Sequence, residues 1–125
     1  VRFLLDTNVL LWTIAGHRRV EALRERLVAA DNDVFVSVVC YWEIAIRSGL
    51  GKLHVELSGL RRAVADSGFF ELPVLGAHTE EVARLPPLHR DPFDRLLVAQ
   101  AIAEPLRLLT SDAVMAAYGG PVELV

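Results

Sequence analysis

An α/β fold with a mainly parallel sheet covered by helices on both faces is predicted by three features of the sequence. Short apolar runs alternate with helix-length amphipathic segments along the chain, the pattern of repeated strand–helix–strand crossovers. Two of the runs, Val1 to Leu5 and Leu106 to Leu109, are nearly continuous in apolar residues, as strands buried on both faces are. Each ends in a polar turn that opens a helix, Asp6-Thr7-Asn8 in one case and Thr110-Ser111-Asp112 in the other. With 125 residues, 53% of them hydrophobic and 23% charged, the chain fits a single domain over 1–125, without linker, internal repeat or low-complexity segment.

Taken in order, Val1 to Leu5 is the first strand and leaves Asp6 at its carboxyl end. Thr7 or Asn8 is placed to cap a helix from Val9 to about Ala15, which Gly16 terminates. A second amphipathic helix is expected over 18–30 from Val20, Leu23, Leu27 and Val28, with Asp31-Asn32-Asp33 as the turn that ends it. Val34 to Val36 is a strand, after which Ser37 caps a helix from Val38 to Ser48, stopped by Gly49-Leu50-Gly51. Trp42 and Ile46, four residues apart, are assigned to its core side, and Cys40 is read as a core residue. A helix over 56–67, a strand near 69–74 and a helix near 79–85, closed by Pro86 and Pro87, follow as scaffold.

The stretch from His89 to Ala101 carries the strongest helix start. Asp91 suits the N-cap, because its carboxylate can accept from unpaired first-turn amides, and Pro92 suits the first helical position. Asp94 then stays in the first turn, near the positive end of the helix dipole. After the strand at 106–109, a short helix from Ala113 to Tyr118 stops at Gly119-Gly120, and Val122 to Val125 forms an edge strand.

The net charge of −3 argues against a generic basic nucleic-acid binder. Of the 13 basic residues all but Lys52 are arginine, so any phosphate contact would be mostly planar and bidentate. No apolar run approaches the ~18 to 20 residues that span a bilayer, and Asp6 and Asn8 interrupt what would be a signal peptide's apolar region. A cytoplasmic location is therefore expected. One cysteine forms no internal disulfide, and no CxxC or paired-His spacing suggests zinc.

In parallel sheets ligands bind beyond the carboxyl ends of the strands. Asp6 and Asp112 fall there directly, while Glu43 and Asp94 lie near the starts of helices. Each acid also has a local reading. Asp91 with Asp94 resembles a capping box, and Glu43 stands four residues before Arg47, the spacing of a helix-surface ion pair. Connections that return to one sheet edge would bring the four acids together. Four such carboxylates repel and raise one another's pKa values, so the grouping calls for a divalent cation. An oxygen-only ligand set favours Mg²⁺ or Mn²⁺ over zinc.

Four blocks carry a family resemblance: FLLDTNVLLW from Phe3 to Trp12; Ser37 with WEIAIR from Trp42 to Arg47 and GKL from Gly51 to Leu53; HRDPFDRLLVAQA from His89 to Ala101; and LTSD from Leu109 to Asp112. Together they resemble the PIN-domain family, and within it the VapC-type toxins of bacterial toxin–antitoxin (VapBC) pairs. The resemblance implies a three-layer α/β/α sandwich with a central mainly parallel sheet, and a Mg²⁺-dependent endoribonuclease for which Mn²⁺ can substitute. Asp6, Glu43, Asp94 and Asp112 match the family's acidic quartet; Asp6, Asp94 and Asp112 are assigned to the metal, and Glu43 acts directly or through bound water. Single-stranded or looped RNA, such as tRNA or rRNA, is the implied substrate, its hydrolysis inhibiting translation and growth. A homodimer, a neutralising VapB-type antitoxin and a larger toxin–antitoxin hetero-oligomer are implied as well, with no membrane partner. Two positions depart from the pattern: Asn8 stands where His is common, and Arg47 where Lys is common.

Asn8, Thr110 and Ser111 can orient the carboxylates or cap helices, with capping preferred. Arg47, Lys52, Arg90 and Arg95 are the cations nearest the acids in sequence and the candidates for RNA contact, while Trp12 is read as core or interface in preference to a base-stacking residue. Two other readings fit less well. Phosphoryl transfer on Asp6 lacks a lysine at a later strand end and has Asn8 where a second acid belongs. A non-catalytic module would have lost one of the four acids, and none is missing.

Overall fold

The computed structural model describes residues 1–125. Five strands, β1 (Arg2–Leu5), β2 (Asp33–Ser37), β3 (Phe70–Leu72), β4 (Arg107–Thr110) and β5 (Val122–Leu124), form one sheet in the order β3-β2-β1-β4-β5. Every neighbouring pair is parallel, so the sheet is wholly rather than mainly parallel. Helices α1 (Thr7–Ala15), α2 (Arg24–Val28), α3 (Val38–Gly49), α4 (Leu57–Asp66), α5 (Gly76–Arg84), α6 (Pro92–Ala103) and α7 (Ala113–Ala116) pack around it as the outer layers of the expected sandwich. No helix is long and apolar enough to cross a membrane.

The strand order places the site. From β1 the chain steps outward through β2 to β3, then returns to the other side of β1 for β4 and β5. The reversal between β1 and β4 is the topological switch point at which parallel sheets open a crevice. Leu5 is in register with Leu109, and the Asp6 amide donates to the Leu109 carbonyl at 3.1 Å. The residues just beyond, Asp6 on one strand and Thr110 to Asp112 on the other, therefore face each other across that opening. Phe3, Leu4, Leu5, Leu108 and Leu109 are all buried, which fixes these strand ends within the core.

The departures from the sequence reading have physical causes. Asp6 itself, not Thr7 or Asn8, caps α1, accepting from the Val9 amide at 2.8 Å. The single helix expected over 18–30 is a 3₁₀ segment, Arg18–Leu23, followed by the five-residue α2. Val20 and Leu23 are three apart, which stacks side chains on a 3₁₀ helix, whereas Leu23 and Leu27 are four apart, as the α-helix requires. Helix α5 starts at Gly76, ahead of 79, because the His78 ring reaches back to accept from the Leu75 amide at 2.9 Å. Trp42 and Ile46 are not core: they are 60% and 40% exposed, and Cys40 and Ile44 fill the inner face of α3. Burial pushes the Cys40 thiol up to about 12, so it is inert packing rather than a nucleophile.

Candidate active site

Four elements deliver the acids. Asp6 follows β1, Glu43 stands in the second turn of α3, Asp94 in the first turn of α6, and Asp112 follows β4 as the cap of α7. All four line one crevice of about 210 Å³, together with Thr7, Asn8, Asp91 and Met115. No lysine or arginine is among these lining residues.

Asp6 is the most constrained. It is 4% exposed, and while one carboxylate oxygen caps α1, the other accepts from the Thr110 hydroxyl at 2.5 Å. The same hydroxyl oxygen accepts from the Asp112 amide at 3.0 Å, so a single buried group joins two of the acids. Burial raises the Asp6 pKa; the Thr110 and Val9 hydrogen bonds oppose this, and Glu43 and Asp112 add to it. Glu43 Oε1 accepts from the Thr7 hydroxyl at 2.7 Å, and its Oε2 lies 3.8 Å from Arg47. The i,i+4 pairing is thus present, though at a distance too long for a hydrogen bond.

Asp94 is pushed up to about 7, first by burial and then by the charge of Asp91, with Glu43 and Asp6 adding and His89 opposing. Asp91 caps α6, accepting from the Phe93 and Asp94 amides at 2.8 and 3.1 Å. The two carboxylates of the capping-box reading therefore divide the work: Asp91 caps, and Asp94 is free to face the crevice. Asp112 goes the other way. Burial acts to raise it, but the His89 hydrogen bond and the Val114 amide outweigh burial and hold it below the usual carboxylate range.

Of the residues expected to orient the acids, Thr110 does so, while the side chains of Asn8 and Ser111 make no hydrogen bond within the chain; none of the three caps a helix. Arg95 spends its guanidinium on the Pro86 and Val82 carbonyls and the Tyr118 hydroxyl, binding the 86–91 loop to α6. Arg47 is half-buried beside Glu43, whereas Lys52 and Arg90 are exposed and their side chains make no hydrogen bond or ion pair. The Arg19 guanidinium lies 4.4 Å over the Trp12 ring, which covers a face that a base would need. Two residues that sequence reasoning missed, Thr7 and His89, touch the acids directly. His89 Nε2 lies 2.8 Å from Asp112 Oδ2 and 3.2 Å from Asp94 Oδ2. The signal for it was the HRD triplet ahead of the Asp91 cap.

The crevice suits a hard divalent cation. Its converging donors are carboxylate oxygens and no basic side chain lines it; burial first, and the neighbouring carboxylates second, raise Asp6 and Asp94, a cost that a bound cation would relieve. Asp94, Asp112 and the His89 ring nitrogen lie within 4.8 Å of one another, close enough to share an ion's surroundings.

Several solved structures share the fold. The chain superposes on VapBC2 from Rickettsia felis, bound to a promoter DNA fragment, with a TM-score of 0.73 at 19% identity, covering 100% of this chain and 98% of that one. A toxin–antitoxin complex from Klebsiella pneumoniae gives 0.66 at 21% identity, covering 96% and 94%, and DNA-bound VapBC from Salmonella typhimurium gives 0.69 at 15%, covering 100% and 97%. At these identities the likeness is one of fold. A search of curated proteins finds no match. The PIN domain family model matches residues 3–121, nearly the whole chain, with all four acids inside the match, and the chain belongs to the PIN domain family, whose members are generally nucleases.

Proposed function

We propose that the protein is a divalent-metal-dependent endoribonuclease toxin of the VapC type. The observation that carries this is the convergence of Asp6, Glu43, Asp94 and Asp112, from four separate elements, on one crevice without a basic lining residue. Asp6, Asp94 and Asp112 would hold Mg²⁺, or Mn²⁺ in its place. When bound, the ion supplies a more acidic water and neutralises charge on the phosphodiester. Glu43, fixed by Thr7 through Oε1, has in Oε2 an oxygen that accepts no hydrogen bond within the chain, with Arg47 at 3.8 Å, and this oxygen would take a proton from attacking water. In-line attack leaves 5′-phosphate and 3′-hydroxyl ends.

An extruded single strand fits so small a crevice better than a duplex does, which favours single-stranded or looped RNA such as tRNA or rRNA. Arg47, Lys52 and Arg90 are the cations left to meet its phosphates. Cleavage there would inhibit translation in the cytoplasm. A VapB-type antitoxin, a homodimer and their hetero-oligomer complete the reading. The apolar groove of about 410 Å³ between α1 and α4, which Leu11, Ile14, Val55 and Leu60 help to line, supports a protein partner.

The test is incubation of labelled total RNA with antitoxin-free protein in Mg²⁺, Mn²⁺ or chelator. Discrete metal-dependent fragments bearing 5′-phosphate are expected; intact RNA across a broad substrate set would instead favour a non-catalytic binding module. A second expectation follows from Asp94. Its carboxyl keeps a proton below about pH 7, and the proton must leave before the oxygens can accept a cation. Cation affinity, measured by calorimetry from pH 5.5 to 8.5 in steps of about half a unit, should climb up to about 7 and then level off. A flat profile would show that Asp94 takes no part in binding.

A further inference from the structure

His89 lies in the loop that enters α6, with its side chain 14% exposed. Its backbone N–H donates to the Tyr118 hydroxyl oxygen at 3.1 Å, and the Asp91 amide donates to its Nδ1 at 3.0 Å. Because Nδ1 accepts, the ring hydrogen is on Nε2, which donates to Asp112 at 2.8 Å and faces Asp94 at 3.2 Å. A histidine that ligates a metal has the opposite arrangement: the ligating nitrogen presents its lone pair and the other donates to an acceptor. Here the other nitrogen meets an N–H. His89 is therefore built as a hydrogen-bond donor to the acids rather than as a ligand.

We propose that His89 is a positioning residue that ties the Asp94 and Asp112 carboxylates together at the crevice and so sets the spacing at which they take a divalent cation. The inference rests on the metal-dependent reading above. Asp94 rides on α6 and Asp112 on the end of β4, and no hydrogen bond joins the two carboxylates directly. Two like charges left alone turn apart into solvent. His89 is the side chain in contact with both, and it is anchored on two sides: to α6 through the Asp91 cap, and through Tyr118 to the segment that follows α7, the helix that Asp112 caps. Its ring is thus held between the start of α6 and the start of α7, where the two acids stand.

The experiment is Mn²⁺ binding to the purified chain, followed by the magnetic-resonance signal of the free ion, for the parent, His89→Phe, His89→Gln and Asp94→Asn. Phe keeps a planar ring without a donor, and Gln returns an N–H at similar reach. His89→Phe is expected to weaken Mn²⁺ binding about 10–100-fold, the usual scale for loss of such a partner, with Gln recovering most of it. Thermal melts in chelator establish that each variant is folded, and the ¹⁵N shifts of the labelled parent ring should show the hydrogen on Nε2. Unchanged or tighter binding by folded His89→Phe, no recovery with Gln, or the hydrogen on Nδ1 would each overturn the role. If Asp94→Asn loses Mn²⁺ while His89→Phe binds as the parent does, His89 alone is misassigned. If the parent binds no Mn²⁺, the metal reading itself fails.

Discussion

Asp94→Asn is expected to reduce RNA cleavage by about 10²–10³-fold or more, the scale of losing one preorganised group that stabilises developing charge, while making the metal-free protein more stable at pH 8. The two effects have one origin. Asp94 is raised from 3.8 to about 7, so between those values the native state holds a proton that the unfolded chain has released. Stability is then full below about pH 4 and falls as pH rises through about 7. Full conversion of the shift would overstate the cost, since water at the crevice mouth screens these charges; about 2 kcal/mol is a reasonable scale. Asparagine has nothing to lose over that range. In chelator, its melting temperature should exceed the parent's by about 5 °C at pH 8, and the two should converge at pH 4. Added Mg²⁺ should reverse the order at pH 8, because only the parent gains from binding. A variant that melts below the parent at pH 8 in chelator would mean that the carboxylate is satisfied by protein groups and is not waiting for a cation.

The elements were legible because periodicity and punctuation agree: near-continuous apolar runs for β1 and β4, Ser37 before α3, Asp91-Pro92 before α6. What local sequence could not give was which face of a helix points inward. Trp42 and Ile46 share a face by spacing, but so do Cys40 and Ile44, and only the packing of α3 on the sheet selects the second pair. Capping and catalysis also looked like alternatives along the chain. In the structure capping does not take Asp6 and Asp112 away from the crevice, since a carboxylate has two oxygens: one caps α1 or α7, and the other faces Thr110 or His89. Thr7 was missed because its partner Glu43 lies 36 residues away, and the HRD triplet, though it sets His89 beside Asp91 and Asp94, does not show that the ring also reaches Asp112, 23 residues on. The convergence of the quartet was carried by family resemblance, because spacing along the chain does not fix where a sheet reverses direction.

Thr110→Val should damage both the stability and the site although it changes neither charge nor side-chain shape. Valine has nearly the same shape, so the packing of β4 is kept and the hydroxyl alone is removed. That hydroxyl is buried, donates to Asp6 Oδ2 at 2.5 Å and accepts from the Asp112 amide at 3.0 Å. Without it, a buried carboxylate oxygen and a backbone N–H both lose their partner, a loss of about 2–4 kcal/mol in all. For a domain of this size that corresponds to a fall of roughly 10 °C in melting temperature. The damage extends to chemistry. Burial already raises the Asp6 pKa, and the Thr110 hydrogen bond is the largest influence opposing it. Removing that bond should raise the Asp6 pKa further, so that the pH at which Mn²⁺ binding reaches half its plateau moves upward. Thr110→Ser, which keeps the hydroxyl and loses only a methyl, separates the two causes: it should restore the pH dependence and most of the melting temperature. Equal melting and equal pH profiles for the parent and Thr110→Val would show that the ends of β1 and β4 are held by the backbone alone, and that the hydroxyl bridge between the two acids contributes nothing to the site.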